Sequence, residues 1–218
     1  MAIYRGKEIQ SAFGSSQEVS DTALAKEYQL CWVQSSNAWH FRTFLQYDLS
    51  GIPYKSQITS AKLRVYDRWH NDTGASGTTN IARVTETWDE NTLCWNLMPE
   101  SSGLYLAESV SPPGVDTWSD WDITTLVQEW VNLEHPNYGL AIVNNNEESY
   151  RVDWQFYNRY YNNGSHASYI EIEYEPEPEL KITQARLTEI ADQARRLTGT
   201  TVTLTPKGIR DALAALEL

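Results

Sequence analysis

FRTFLQYDLSGIPYKSQITSAKLRVY, residues 41–66, holds two alternating segments joined by turn chemistry, and its reading decides the fold. In the first segment Phe41, Thr43, Leu45, Tyr47 and Leu49 share one face while Arg42, Gln46 and Asp48 share the other. In the second, Ala61, Leu63 and Val65 alternate with Lys62 and Arg64. A period of two is the signature of a half-buried β-strand, so both segments are read as paired strands with one face in a core. Ser50, Gly51 and Pro53 interrupt the ladder between them through a free φ, a fixed φ and a missing N–H. Phe44 falls on the polar side, so the outer face of its strand is not wholly wet.

Working outward, short candidate strands occupy residues 8–13 and 28–34, then 81–87, 92–95 and 104–110. The run DRWHNDTGASGTTN, residues 67–80, is polar and glycine-rich around Trp69 and His70 and is read as a loop. WSDWDITTLVQEW, residues 118–130, changes period part way, from alternation at Trp121 and Ile123 to three-four spacing at Leu126, Val127 and Trp130. A strand therefore feeds one short helix, with Thr125 and Gln128 as a capping box. Residues 138–143, 151–156 and 168–174 complete the set, the last with Ile170, Ile172 and Tyr174 inward and Glu171 and Glu173 outward. Many short strands with little helix predict a mainly β protein, an antiparallel jelly-roll β-sandwich over residues 1–174.

EPEPEL then places Pro176 and Pro178 among acids, an extended linker over residues 175–180. Beyond it the composition turns to Ala, Leu, Arg and Ile. Leu187, Ile190, Ala194 and Leu197 follow helical spacing, Gly199 stands at a C-cap, and Thr205-Pro206 opens a second helix bearing Ile209, Leu213 and Leu216. Residues 181–218 are thus expected to form a small α-helical hairpin. Fewer than about 40 residues rarely fold without help, so its apolar stripe is expected to dock on a partner or a second copy of the chain.

Among 218 residues the net charge is −12, with nine Trp and thirteen Tyr against four Phe. That acidity argues against phosphate-mediated nucleic-acid binding, and no segment reaches the ~20 apolar residues of a membrane helix. The first residues, MAIYRGKEIQSAFGSS, show no apolar core of a secretion signal, so synthesis in a cytoplasm is expected. Cys31 and Cys94 are expected to be free thiols in apolar settings, with a disulfide as the alternative.

The blocks FLQYDLSGIP, ITSAKLRVY, RVTETWDENTLCWN, WSDWDITTLVQEW, YGLAI and YIEIEY, spread over residues 35–175, resemble the DNRLRE-type domain, a jelly-roll family of bacterial and archaeal surface proteins. The resemblance implies a sandwich of the carbohydrate-binding-module kind, with sugar binding in some members. Relatives carry a Ser-Arg-Glu-like element where this chain has Asn158-Arg159-Tyr160, so Arg159 matches and the acid is missing, and Cys94 stands where Thr is usual. The tail, LTEIADQARRLTGTTVTLTPKGIRDALAAL, is similar to a short module of tailed-bacteriophage structural and tail proteins. Together the two resemblances imply a virion structural protein, made in the host cytoplasm and attached through its C-terminal helices to other virion proteins or copies of itself. Its sandwich would then be displayed towards host-surface glycan. The alternative is a non-catalytic module of a bacterial or archaeal cell-surface or polysaccharide-processing system.

Catalysis is not expected. His40, His70, His135 and His166 are scattered without metal-ligand spacing, and neither a nucleophile elbow nor a phosphate loop occurs. The carboxylate pairs Asp89/Glu90 and Asp120/Asp122 read as solvated rims. No cofactor is expected; calcium remains open, with Asp67, Asp72 or Asp89 as oxygen donors. The surface of interest is aromatic. Trp69 and His70 in one segment, with Trp154, Tyr157, Arg159, Tyr160 and Tyr161 beside Asn162 and Asn163 in another, offer planar faces and amides that could stack on sugar rings and bond hydroxyls. The same rings could equally fill the core or cover a subunit contact.

Overall fold

The computed structural model describes residues 1–16, 30–35, 40–70, 79–110, 115–144 and 152–176, with Asp192 and Arg196 beyond them. The strands are β1 (Ala2–Ser15), β2 (Leu30–Ser35), β3 (His40–Tyr47), β4 (Gln57–His70), β5 (Thr79–Val84), β6 (Ser101–Val110), β7 (Trp118–Asp122), β8 (Leu140–Asn144), β9 (Val152–Tyr157) and β10 (Tyr169–Glu175). One helix, α1 (Thr124–Val131), follows β7. Pairing is antiparallel throughout, as expected for a chain whose strands alternate in polarity.

Two sheets face each other. The smaller has the order β1-β10-β4-β7. The larger carries the second half of β1 on β3, then β8, β5 and β6, while β2 bridges β3 to β9 and β9 reaches the end of β4. Strands β1 and β4 therefore belong to both sheets, and the register of each slips where it crosses over, between Glu8 and Gln10 and between Asp67 and Trp69. Such bulges bend a strand sharply enough to turn a sandwich corner.

Alternation places Ala61, Leu63, Val65, Trp121, Ile170 and Ile172 of the smaller sheet against Leu45, Tyr47, Ile81, Leu140, Ile142, Trp154 and Phe156 of the larger. The helix joins this core through Leu126, Val127, Trp130 and Val131. Phe44 is buried too, on the outer face of the larger sheet, where Trp88, Leu93 and Met98 of the 85–98 segment cover Ala12, Ala82 and Ala141. Gly51 is needed for space: a Cβ there would come within 2.3 Å of the Tyr4 ring.

Three local expectations are corrected. Residues 67–70 continue β4, because Asp67 is fully buried at the corner, accepting hydrogen bonds from Ser119 Oγ (2.7 Å) and Trp154 Nε1 (2.8 Å). Residues 92–95 are a turn rather than a strand; the backbone N–H groups of Thr92 and Leu93 both bond to the Asp89 carbonyl. No capping box forms from Thr125 and Gln128. Asp122 Oδ1 instead accepts from the Thr124 backbone N–H (2.9 Å) and Oγ1 (2.6 Å), which holds its carboxyl below the usual range. Gln128 serves the start of β4, accepting from Ile58 N–H and donating to the Ser56 carbonyl.

Cys94 is a buried free thiol, and the side chain of Cys31 lies outside the described residues. The chain divides into two compact units, Met1–Glu177 and Pro178–Leu218. In the second only Asp192 and Arg196 are described, both helical; Leu187, Ile190, Ala194, Leu197, Ile209, Leu213 and Leu216 lie outside the described residues. Among those described, no helix is long and apolar enough to cross a membrane.

Candidate functional site

Once Ala61, Leu63 and Val65 face inward, Lys62, Arg64 and Tyr66 must face outward, and the same parity exposes Trp118 and Asp120 on β7 and Tyr169 and Glu171 on β10. Register then brings the outward rings together. Tyr66 pairs with Trp118 across β4 and β7, while Tyr169 lies opposite Arg64 on the other side of β4. Trp118 stands edge-on to both rings, with centroids 5.2 Å from Tyr66 and 5.2 Å from Tyr169. Beyond Tyr66 the row continues through His166 at 4.2 Å and Tyr157 at 6.3 Å, and Tyr157 stacks on Tyr161 at 3.7 Å. The Arg5 guanidinium lies 4.3 Å from the Tyr169 centroid and closes the other end.

Each of these six rings is only half-buried. Arg5–Glu171, Arg64–Glu171 and Lys62–Asp120 ion pairs border the row, and the exposed amides Asn162 and Asn163 stand beside Tyr161 in a tight turn with positive φ. Burial, with the Tyr161 hydroxyl beside it, pushes the Tyr157 phenol above its ordinary value, so it stays a neutral donor. The result is a ribbon of aromatic edges and faces flanked by hydrogen-bonding groups. Apolar C–H faces of a sugar can lie on such rings while its hydroxyls meet the rim.

Of the residues singled out from sequence, Tyr157 and Tyr161 belong to this ribbon. Trp69, 37% exposed, lies on the continuation of β4 opposite Gln155, two residues from Tyr157. His70 ends β4, with its side chain outside the described residues. Trp154 does not reach the surface. It is fully buried against Trp121 (5.0 Å) and Phe156 (5.6 Å), with its indole N–H on Asp67.

Arg159 and Tyr160 are also diverted inward. Glu90 Oε1 accepts from both the Arg159 guanidinium and the Tyr160 hydroxyl, while Glu90 Oε2 accepts the Ser11 N–H at 3.1 Å. Glu8, buried at the β1 corner, accepts the Arg159 backbone N–H (3.0 Å) and the Ser168 hydroxyl (2.5 Å). Thus the Asp89/Glu90 turn and the 158–160 segment, remote in sequence, form one internal polar lock. The basic residue matching the Ser-Arg-Glu-like element is a structural arginine here, its partner being Glu90 of the ETWDEN block.

Among the described residues no group of three or more His, Cys, Asp or Glu side chains could hold a metal ion. Asp67 is engaged internally and Asp89 Oδ1 accepts from Asn91 of its own turn, while Asp72 lies outside the described residues.

Tyr66, Trp118, His166 and Tyr169 were not anticipated from sequence. Their signal is parity: Tyr66 and Tyr169 adjoin the inward residues Val65 and Ile170, and Trp118 lies an odd three positions before inward Trp121, whereas His166 is carried into place only by the turn after Tyr161.

No curated protein sequence matches the chain. A family model described as carbohydrate-binding module family 96 matches residues 6–174, which span every described strand except the outermost residues of β1 and β10. The match takes in well over half of the chain, and the chain belongs to carbohydrate-binding module family 96.

Proposed function

We propose that the chain holds an extended glycan along the ribbon from Tyr169 through Trp118 and Tyr66 to Tyr161, without altering it. The observation that carries this reading is the run of half-exposed rings on one sheet face, spaced by the strand register and bordered by paired charges. Flat aromatic contact of this kind is individually weak, roughly millimolar to micromolar or ~4–8 kcal/mol, and gains from repetition on an assembly.

Binding of the full chain to a panel of neutral, acidic and amino polysaccharides and to bacterial cell-wall material tests it. Trp118→Ala and Tyr161→Ala are each expected to weaken retention roughly three- to ten-fold at unchanged melting temperature. Tyr161 lies in a surface turn, so its removal separates ligand contact from folding. Full retention by both variants would overturn the ribbon as the site.

The carrier of the module is a separate matter. Similarity of the tail to a module of phage structural and tail proteins supports display on a virion, with the sandwich turned to host-surface glycan. Attachment to a polysaccharide-processing or cell-surface system fits the family equally well. Mass spectrometry of purified particles decides between them: the chain in stoichiometric amount supports the virion reading, and its absence from particles together with secretion by a cell removes it.

A further inference from the structure

Beside the start of β4, the turn after β3 and the last residues of α1 enclose a pocket of about 220 Å³. The Lys55 N–H donates to the Val131 carbonyl at 3.4 Å and ties the two walls together. Ile52, Trp130 and Val131, all buried, line the pocket with the exposed Tyr54 (53%) and Leu133 (74%). Leu133 is the anomaly. Helix α1 closes with two bonds, Leu133 N–H to the Trp130 carbonyl (3.1 Å) and Glu134 N–H to the Glu129 carbonyl (3.0 Å), and residue 133 takes the left-handed conformation at φ +59°. Glycine is the usual occupant of that place, because it has no Cβ to strain. A leucine there strains the backbone, and with its side chain in solvent it adds little to the core. Trp130, 4% exposed, is the second oddity: its indole N–H is shielded from water and has no acceptor among the described residues.

We infer that this pocket is a second glycan subsite and that it takes an N-acylated sugar unit. It shares no residue with the ribbon and stands whether or not the ribbon holds glycan. Strain kept at an exposed apolar residue points to a ligand contact rather than to folding. The Tyr54 ring offers a face to the C–H side of a sugar. Walls made of Ile52, Val131 and Leu133 would leave sugar hydroxyls unpaired, so the unit has to bring an apolar group of its own. An acetamido substituent brings a methyl for these walls and the carbonyl that the Trp130 N–H lacks. The pocket is smaller than the roughly 300–1,000 Å³ that enclose a drug-sized ligand, so it fits one such unit rather than a length of chain.

The test is an NMR titration of the full chain with tetrasaccharides of N-acetylglucosamine, glucosamine and glucose. The Trp130 indole resonance, assigned by triple-resonance spectra, is expected to shift with the acetylated form alone. Leu133→Gly removes a wall and relieves the strain, so it should hold or raise the melting temperature while weakening that binding roughly three- to ten-fold. Tyr54→Ala, at an exposed position, should weaken it by a similar factor. The shift is expected to persist in the ribbon variants Trp118→Ala and Tyr161→Ala, so failure of the pocket and failure of the ribbon are told apart. Equal shifts with all three sugars, no shift at all, or loss of the shift in the ribbon variants would overturn the inference. So would a Leu133→Gly chain that binds as tightly as before or melts lower, since the leucine would then serve nothing in the pocket or would serve the fold.

Discussion

Arg159 shows how a single side chain is misread when its neighbours in sequence are taken for its neighbours in space. Flanked by Tyr157, Tyr160 and Tyr161 it looks like part of a binding face, yet its guanidinium is committed to Glu90, 7% exposed at the side chain. Removing one member of such a pair strands the other charge in a place water barely reaches. Arg159→Ala is therefore expected to cost about 2–3 kcal/mol in urea denaturation, less than a fully buried pair because a quarter of the Arg159 side chain remains exposed. Glu90→Gln combined with Arg159→Met should recover most of that loss, since no charge is then left unpaired. Glu8, in the same lock, contributes a pH dependence. Burial raises its pKa above the ordinary 4.5, outweighing the Ser168 and Arg159 hydrogen bonds that lower it. From pH 4.5 upward the unfolded chain gives up this proton while the folded chain keeps it, so stability falls as pH rises through the folded pKa. Glu8→Gln should flatten that fall, a result read directly from melting temperatures between pH 4 and 8. An unchanged slope would assign the dependence to other groups.

At the scale of elements, β4 decides most of the architecture because it serves both sheets. Its first half was legible: Ala61, Leu63 and Val65 alternate cleanly, and all three are fully buried. Its second half was not, because DRWH carries the polarity of a loop while Asp67 is in fact an internal corner post bonded to Ser119 and Trp154. Asp67→Ala leaves an indole N–H and a hydroxyl unpaired in the core. The expected cost is about 2–4 kcal/mol, with the Trp154 emission becoming more solvent-like before global unfolding. A neutral substitution would mean that the bulge, rather than the carboxylate, holds the corner. The same geometry explains why the candidate site was half-read. Successive residues of β9 point to opposite faces, so the sequence cluster around Trp154 and Tyr157 splits between core and surface. Tyr66, Trp118 and Tyr169 come from three strands and become neighbours only through register, which hydrophobic periodicity within one strand does not encode.

For the whole molecule, the match to the module family ends at residue 174, and the first compact unit closes at Glu177. Every described core residue and every ring of the ribbon lies before that point. Truncation after Glu177 is therefore expected to leave a sandwich that melts cooperatively, with glycan affinity per module unchanged, because the hydrophobic burial that stabilises it is contained within the unit that remains. Avidity should behave differently. If the apolar stripe marked by Leu187, Ile190, Leu213 and Leu216 joins copies or docks on a larger assembly, the full chain will elute from gel filtration as an oligomer or be retained by its assembly, and the truncated chain as a monomer. Retention on immobilised polysaccharide would then drop by more than the affinity of one module can account for, since several weak contacts are replaced by one. A full-length monomer whose retention equals that of the truncated form would show that the tail neither multiplies nor anchors the module. A fall in melting temperature on truncation would instead make the tail part of the folded core, which its helical spacing also permits through burial of the same leucines against their own chain.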